Sequence, residues 1–178
     1  MAFVFCVSAT VSLTVPLPFL VDSLPPNRSR EHETTTAEIA CGRDNLSVLC
    51  DALHRADLYD TLDDLRTEFT LFAPNDKAFG AFLDWRRLGD LRQAEVVDLL
   101  LTHVAGRVLS ENDLSQRCSD LLDMESDRQT RTICKNAKRD VFQKGEGNSK
   151  DDMPLIVDSD LRACNGIVHI MDTVILPK

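Results

Sequence analysis

The sequence predicts an α+β fold in a single domain, because helical spacing dominates its first half and strand-like segments dominate its second. Apolar residues recur every three or four positions from Leu46 to Ala56 and again over 92–101, which is typical of amphipathic helices. From Leu121 onward, short runs of β-formers alternate with polar turns. The segment 167–176 is apolar on both faces, which indicates a strand inside a sheet. Helices followed by strands in one chain favour the α+β class.

The N-terminal residues 1–23 resemble a secretory signal peptide. Residues 1–21 carry no charged side chain and are rich in Phe, Val and Leu. A retained membrane anchor is the open alternative, since about 20 apolar residues can span a bilayer. Residues 24–36 are polar, contain two prolines and predict a disordered linker. The folded domain is therefore expected to occupy residues 37–178.

The helical half is expected to contain three helices and one strand before residue 83. Asp44 or Asn45 is expected to cap the first helix, because both side chains accept hydrogen bonds from exposed helix N–H groups. A second short helix covers 58–65. Residues 69–73 form a strand that Pro74 ends, and Asn75 or Asp76 is expected to cap a third short helix.

The remaining elements follow in order. A helix is expected over 92–101, a short strand at 108–109 and a helical turn over 110–114. Further strands are expected at 121–124, 130–134, 141–144, 155–158 and 167–176.

Six cysteines agree with export to an oxidising compartment. Cys6 lies in the presumed signal, and the other five allow two disulfides and one leftover thiol among Cys41, Cys50, Cys118, Cys134 and Cys164. On one continuous helix Cys41 and Cys50 would lie roughly 13 Å apart, which is too far to bridge, but Gly42 breaks that helix. A Cys118–Cys134 bridge would close a loop around a candidate hairpin. The connectivity stays open at this point.

The net charge and the C-terminal sequence limit the classes of partner and of membrane attachment that we expect. The net charge is −9, which disfavours nucleic acid because the phosphate backbone attracts Lys and Arg. The chain ends at Lys178 directly after the last predicted strand, so neither a GPI anchor nor a C-terminal membrane span is expected. Asn27 and Asn45 each begin an Asn-x-Ser sequon and are candidate glycosylation sites.

Two strings, Thr70 to Phe79 and Cys164 to Pro177, lie about ninety residues apart. They resemble the H1 and H2 boxes of the fasciclin (FAS1) domain. A central segment, 99–106, contains His103 of the family's Tyr-His pair, and Thr102 stands at the Tyr position. The residues that match the two boxes are Thr70, Phe72, Ala73, Pro74, Asn75 and Phe79, then Asn165, Gly166, His169, Asp172, Leu176 and Pro177.

This resemblance covers about residues 37–177 and implies a β-wedge of two small sheets with several surrounding helices. The H1 and H2 boxes would supply neighbouring core strands. Asn165 and Gly166 suit a turn that needs positive φ. The family resemblance implies a secreted, non-catalytic protein that acts in cell adhesion or in the extracellular matrix. Its partners would be extracellular proteins, glycans or a second copy of this chain, and no cofactor is expected.

Two other functions stay open. His103 and His169 lie in matching boxes and could approach each other, so a secreted binder of a small molecule or metal with a pocket near them is one alternative. The other interpretation of these histidines is that both are partly buried and bonded to the backbone or to Asp172. A hydrolase is the second alternative, although no Gly-x-Ser-x-Gly, His-Glu-x-x-His or Walker sequence is present.

A row of carboxylates allows one further interpretation. Asp57, Asp60, Asp63 and Asp64 line one side of a short predicted helix and could hold calcium. Their spacing is not that of an EF-hand loop. We therefore expect a solvated acidic face.

Overall fold

The computed structural model describes residues 34–83 and 91–178. The predicted signal peptide, Cys6, Asn27 and the linker as far as residue 33 lie outside the described residues. The described helices are α1 (Thr36–Cys41), α2 (Ser47–Arg55), α3 (Tyr59–Asp63), α4 (Asp76–Leu83), α5 (Gln93–Leu101) and α6 (Glu111–Gln116). The described strands are β1 (Phe69–Pro74), β2 (Val104–Ala105), β3 (Leu121–Asp123), β4 (Gln129–Lys135), β5 (Asp140–Lys144), β6 (Ile156–Ala163) and β7 (Gly166–Met171).

Two small sheets confirm the predicted α+β class. The first has four strands in the order β2-β1-β7-β6, and the second has three in the order β3-β4-β5. β1 and β7 pair in parallel at the centre of the first sheet, with Phe72 opposite His169 and Pro74 opposite Met171. Every residue of both strands is buried. This burial explains why neither strand shows the alternation of polar and apolar residues that marks a half-exposed strand.

The β1–β7 pair separates two hydrophobic cores. Because successive side chains of a strand point to opposite faces, Leu71 and Val168 pack with the helices α1, α2, α4 and α5. Phe72 and Met171 pack on the other side, where α6, β3 and β5 contribute apolar residues. Each box strand therefore contributes side chains to both cores.

The last strand ends earlier than the sequence predicts. β7 stops at Met171, and the residues after it leave the sheet. Val174 and Ile175 nevertheless stay buried, at 2% and 0% exposure. The apolar pattern over 167–176 therefore indicated burial correctly and strand length wrongly.

The predicted strand at 108–109 is wrong, and the strand lies at Val104–Ala105 instead. Two side chains form hydrogen bonds with the backbone N–H and carbonyl of Leu109, so this residue needs no strand partner. Its N–H donates to Thr70 Oγ1 at 2.8 Å, and its carbonyl accepts from His169 Nε2 at 2.8 Å. The sequence could not show these bonds because both partners lie far away along the chain.

Helix α1 begins at Thr36, so the linker does not extend to Thr36 as predicted. Thr35 caps α1 through a reciprocal capping box with Glu38. Thr36 is fully buried, and its hydroxyl donates to the carbonyl of Leu62 at 2.9 Å. The threonines were assigned to the linker because they are polar. The sequence could not show that the Thr35 and Thr36 hydroxyls bond to Asp63 and Leu62, which lie far away along the chain.

The cap of α2 also differs from the prediction. Neither Asp44 nor Asn45 caps the helix, which has Leu46 at its N-cap position and no side-chain cap from that residue. Asp76 supplies the cap from the start of α4. Its carboxylate accepts from Val48 N–H at 2.9 Å and from the hydroxyl of Ser47 at 2.8 Å.

Both of the cysteine pairs that the sequence singles out are bonded. Cys41–Cys50 joins the end of α1 to α2 with Cα atoms 4.9 Å apart, and Cys118–Cys134 has a Cα separation of 5.5 Å. Cys164 is disulfide-bonded as well. The expected leftover thiol is therefore wrong, since the described residues contain no free cysteine.

None of the described helices is both long enough and apolar enough to cross a bilayer.

Candidate functional site

The H1 box forms β1 and the start of α4, and its side chains hold the fold together. Thr70 is fully buried; its hydroxyl donates to the carbonyl of Arg107 at 2.7 Å and accepts from Leu109 N–H. Asn75 caps α4, as one of the two predicted alternatives, by accepting from Ala78 N–H at 2.8 Å. Phe72, Ala73 and Phe79 are fully buried. The four fully buried residues, Thr70, Phe72, Ala73 and Phe79, therefore offer no surface to a partner.

The H2 box contains, at the start of β7, a glycine that the geometry requires. Gly166 has φ +151°, and a Cβ placed there would lie 1.9 Å from the carbonyl oxygen of Phe69. The predicted positive φ is confirmed for Gly166 but not for Asn165, which is not among the positive-φ residues.

Asn165 instead connects three segments through its side chain. Its Oδ1 accepts from Thr36 N–H at 2.9 Å, while its Nδ2 donates to the carbonyls of Leu62 at 2.8 Å and Asp64 at 3.2 Å. The side chain is fully buried. Asn165 therefore ties the first helix and the end of α3 to the start of β7.

His103 is a buried, neutral structural histidine. Its Nδ1 donates to the carbonyl of Leu99 at 2.8 Å, and its Nε2 accepts from Ile175 N–H at 2.9 Å. Burial lowers the pKa of His103 from 6.5 to about 4, although the hydrogen bond to Leu99 opposes this shift. The ring therefore links the end of α5 to the chain after β7.

His169 uses both of its nitrogens in the same way. Its Nε2 donates to the carbonyl of Leu109, and its Nδ1 accepts from Asp160 N–H at 3.2 Å. Burial lowers the pKa of His169, against the opposing effects of the Leu109 bond and of the carboxylates of Asp160 and Glu111. Both histidines are thus bonded to the backbone, and neither uses Asp172.

These bonds remove the basis for a metal site at the two histidines. Binding a metal requires a free nitrogen lone pair, and the accepting nitrogen of each ring already receives a backbone N–H. Phe72 links the two positions, since its N–H donates to the His103 carbonyl and its ring stacks on His169. Asp172 accepts from Leu155 N–H at 2.9 Å.

The carboxylates that were considered as a calcium site contact separate partners. Asp57 accepts from the side-chain amide of Gln93 at 2.8 Å, and Asp63 accepts from the Thr35 hydroxyl at 2.5 Å. Asp64 pairs with Arg66, whose hydrogen bonds lower the pKa of that carboxyl. These separate contacts favour the acidic surface over a shared calcium site.

The end of the H2 box depends on a residue that the sequence did not single out. Asn148 lies in the loop 145–149 and is 4% exposed. Its Oδ1 accepts from Gly145 N–H and Leu176 N–H, and its Nδ2 donates to the carbonyl of Val174 at 2.9 Å. An asparagine directly after a glycine marks a turn in sequence, but nothing there showed that the turn holds the C-terminal segment.

The central segment and the end of the H2 box meet at one polar groove of about 420 Å³. We define the polar groove by its lining residues, which are Thr102, Asp123, Asp127, Arg128, Gln129, Gly145, Glu146, Leu176, Pro177 and Lys178. Thr102 is only 1% exposed, and its hydroxyl bonds to the carbonyl of Asp98 and to Ser126. Exposed carboxylates and an amide form most of the polar edge.

A second concavity of about 330 Å³ lies on the helical side of β1. We call it the helical pocket. Its floor is apolar and includes Leu53, Leu62, Leu71 and Leu100, and the ring of His103 forms part of its wall. His169 does not line it, so the structure does not bring the two histidines into one pocket.

The candidate glycosylation residue Asn45 lies on the surface. Its side chain is exposed, and its carbonyl accepts from Asp76 N–H. The sequon hydroxyl of Ser47 contacts the carboxylate of Asp76. The position is therefore accessible at the start of α2, although occupancy by a glycan stays a prediction.

Comparisons with known proteins agree with this geometry. The Fasciclin domain profile matches residues 44–177. Protein sll1483 of Synechocystis sp. is 28% identical over 148 residues, which cover 80% of this chain and 73% of that protein.

A solved FAS1 domain pair shows the same fold. It comes from the insect cell adhesion molecule Fasciclin I and superimposes with a TM-score of 0.64 at 18% identity. The match covers 82% of this chain and 51% of that structure, so the chain spans about half the length of the domain pair. With the family profile matched over most of its length and both boxes in place, this chain belongs to the fasciclin (FAS1) domain family.

Proposed function

We propose that this protein is secreted and acts in cell adhesion or in the extracellular matrix by binding a protein or glycan, without catalysis. FAS1 domains are generally non-catalytic binding domains, and the family is linked to cell adhesion. The observation that carries the proposal is the polar groove, where the central segment and the end of the H2 box come together. The buried box residues hold this groove in shape.

The chemistry of the polar groove suits a polar partner. Asp123, Asp127 and Glu146 are exposed carboxylates, and Gln129 adds an exposed amide. Arg128 is held against the α5 residue Asp98 by an ion pair of 2.9 Å. Such groups accept hydrogen bonds from sugar hydroxyls or pair with basic side chains of a protein. The overall charge of −9 makes a basic protein surface a better partner than an acidic polymer.

The cysteine usage supports an oxidising location. Five cysteines among the described residues are disulfide-bonded, and such bonds persist mainly in secreted proteins. A rigid, bonded scaffold also limits the conformational entropy that binding would cost.

Adhesion requires the protein to connect two surfaces. The described cysteines offer no thiol for an intermolecular bridge. Bridging would therefore require self-association or a second binding face, and either would raise the overall avidity.

Binding to an extracellular matrix extract tests this proposal. The immobilised protein should retain one or a few matrix components, and the variant Asp123→Lys/Glu146→Lys should lose most of that retention because both groove carboxylates are reversed. The matched control is Asp51→Lys/Asp60→Lys, which changes two exposed carboxylates of α2 and α3 that do not line the groove. Equal loss in both variants, or retention of nothing by the unmodified protein, would refute the proposal.

A further inference from the structure

The helical pocket has a floor that water solvates poorly. Leu53, Leu62, Leu71 and Leu100 are each at most 3% exposed, yet they border a cavity of about 330 Å³. Side chains that border an empty space lack contact atoms on that side. An apolar occupant would restore those contacts, whereas water would find few polar partners there.

The ring of His103, which forms part of the pocket wall, offers no free hydrogen-bonding group to the interior. The ring of His103 lines the pocket, but its Nδ1 donates to Leu99 and its Nε2 accepts from Ile175. The ring therefore presents only its carbon surface to an occupant. The interior selects for shape and apolar character.

The mouth of the pocket is polar and negatively charged. Thr61, Thr67, Glu68 and Glu125 are exposed lining residues. Among the described residues that line it there is no Lys or Arg. A carboxylate or phosphate at this mouth would meet two like charges, whereas an ammonium or hydroxyl group would meet acceptors.

The volume limits the size of the occupant. A cavity of about 150 Å³ lined by apolar side chains accommodates benzene. By the same ratio, about 330 Å³ accommodates up to roughly thirteen non-hydrogen atoms. This is too small for a protein helix and matches a short alkyl chain or a small ring system.

We propose that the helical pocket is a binding site for a small amphiphile with an apolar body of this size and an uncharged or cationic polar end. The apolar body lies over the leucine floor, and the polar end lies between Glu68 and Glu125. This site goes beyond the proposed adhesion function and is independent of it, because none of its lining residues belongs to the polar groove.

Titration calorimetry with three octyl compounds tests the proposal at neutral pH. Octan-1-ol and octylammonium should bind to one saturable site, with the negative heat-capacity change that apolar burial produces. Octanoate should bind at least about tenfold more weakly, because the mouth is acidic. The variant Glu68→Gln/Glu125→Gln should reduce the difference between octylammonium and octanoate to about threefold or less.

A blocking variant tests whether the octyl compounds bind in the helical pocket. Thr61→Trp puts a large side chain at the mouth of the pocket and should abolish octyl binding, while Asp60→Trp, the adjacent exposed residue of α3 outside the pocket, should leave it unchanged. Circular dichroism establishes that both variants fold. The groove variant Asp123→Lys/Glu146→Lys should bind the octyl compounds normally.

Three results would overturn this inference. They are no saturable binding of octan-1-ol or octylammonium, octanoate binding as tight as octylammonium binding, and equal binding by the Thr61→Trp and Asp60→Trp variants. Loss of matrix binding by the groove variant, with octyl binding intact, would separate this site from the adhesion function.

Discussion

The family boxes and the polar groove meet at Leu176 and Pro177 but differ in what they expose. Thr70, Asn165 and His169 are fully buried and bonded to backbone groups of other elements. Asp123 and Glu146 at the groove are exposed, and Asp123 accepts a hydrogen bond from Gln129, another lining residue of the groove. The residues that identify the family therefore determine the fold, whereas the residues that could distinguish one ligand from another lie on the surface around them.

The largest expected effect comes from the glycine that begins β7. Gly166→Ala should lower the free energy of unfolding by more than about 3 kcal/mol, because the new Cβ would lie 1.9 Å from the Phe69 carbonyl oxygen at φ +151°. Urea unfolding followed by circular dichroism measures this change.

The matched control for Gly166→Ala is Gly80→Ala. Gly80 lies in α4, and a Cβ there meets nothing within 4 Å. Alanine should therefore stabilise the protein by about 0.5–1 kcal/mol through its helix propensity. Similar effects at the two glycines would show that the strand pair does not require close approach at Gly166.

The second largest effect is expected from acid, which should lower the free energy of unfolding through the two buried histidines of the family boxes. The pKa of His103 is about 4 when the protein is folded and 6.5 as its ordinary value, so between these pH values the unfolded chain binds a proton that the folded chain does not. Stability is therefore complete above about pH 6.5 and decreases as the pH falls to 4. His103 contributes about 3 kcal/mol to this loss, and His169, whose pKa is also lowered by burial, adds to it in the same direction.

Unfolding curves at several pH values check this prediction. The variant His103→Gln should be less stable at neutral pH but should lose less further stability between pH 6.5 and pH 4. An unchanged pH dependence in that variant would contradict the assignment of the acid effect to His103.

A smaller effect is expected at the helix cap that the sequence did not reveal. Asp76→Ala should destabilise the protein by about 1 kcal/mol, because α2 loses its hydrogen bond to Val48 N–H. Asp44→Ala should change stability by less than about 0.5 kcal/mol, since that exposed residue does not cap the helix. Thermal unfolding of the two variants decides between the cap predicted from sequence and the cap in the structure.

The sequence predicted elements whose determinants are local. Strand β1 and the Asn75 cap of α4 depend on residues next to each other in the chain. The Cys41–Cys50 bridge could be anticipated because Gly42 ends the helix between them.

The features that the sequence missed depend on partners far apart in the chain. Asp76 caps a helix that begins 29 residues earlier, as its contact with Ser47 shows. The Asn165 bond to Thr36 spans 129 residues. In both cases a polar side chain satisfies a buried or terminal backbone group, but no periodicity or turn signal identifies that group in advance.

The same distinction applies to the candidate site. The sequence singled out His103 and His169 but could not show that backbone groups occupy all four ring nitrogens. The polar groove combines the central segment, β3, the β3–β4 turn and the C-terminal segment, so it exists only after the two sheets come together.

One paired measurement tests the central claim that the boxes maintain the fold while the polar groove binds the partner. Thr70→Val removes a buried hydroxyl from the H1 box and should lower the free energy of unfolding by about 2 kcal/mol. Its matrix binding, measured well below its melting temperature, should match that of the unmodified protein. Asp123→Lys/Glu146→Lys should show the reverse pattern, with weakened binding at an unchanged melting temperature. Loss of binding in folded Thr70→Val together with full binding by the groove variant would contradict the claim.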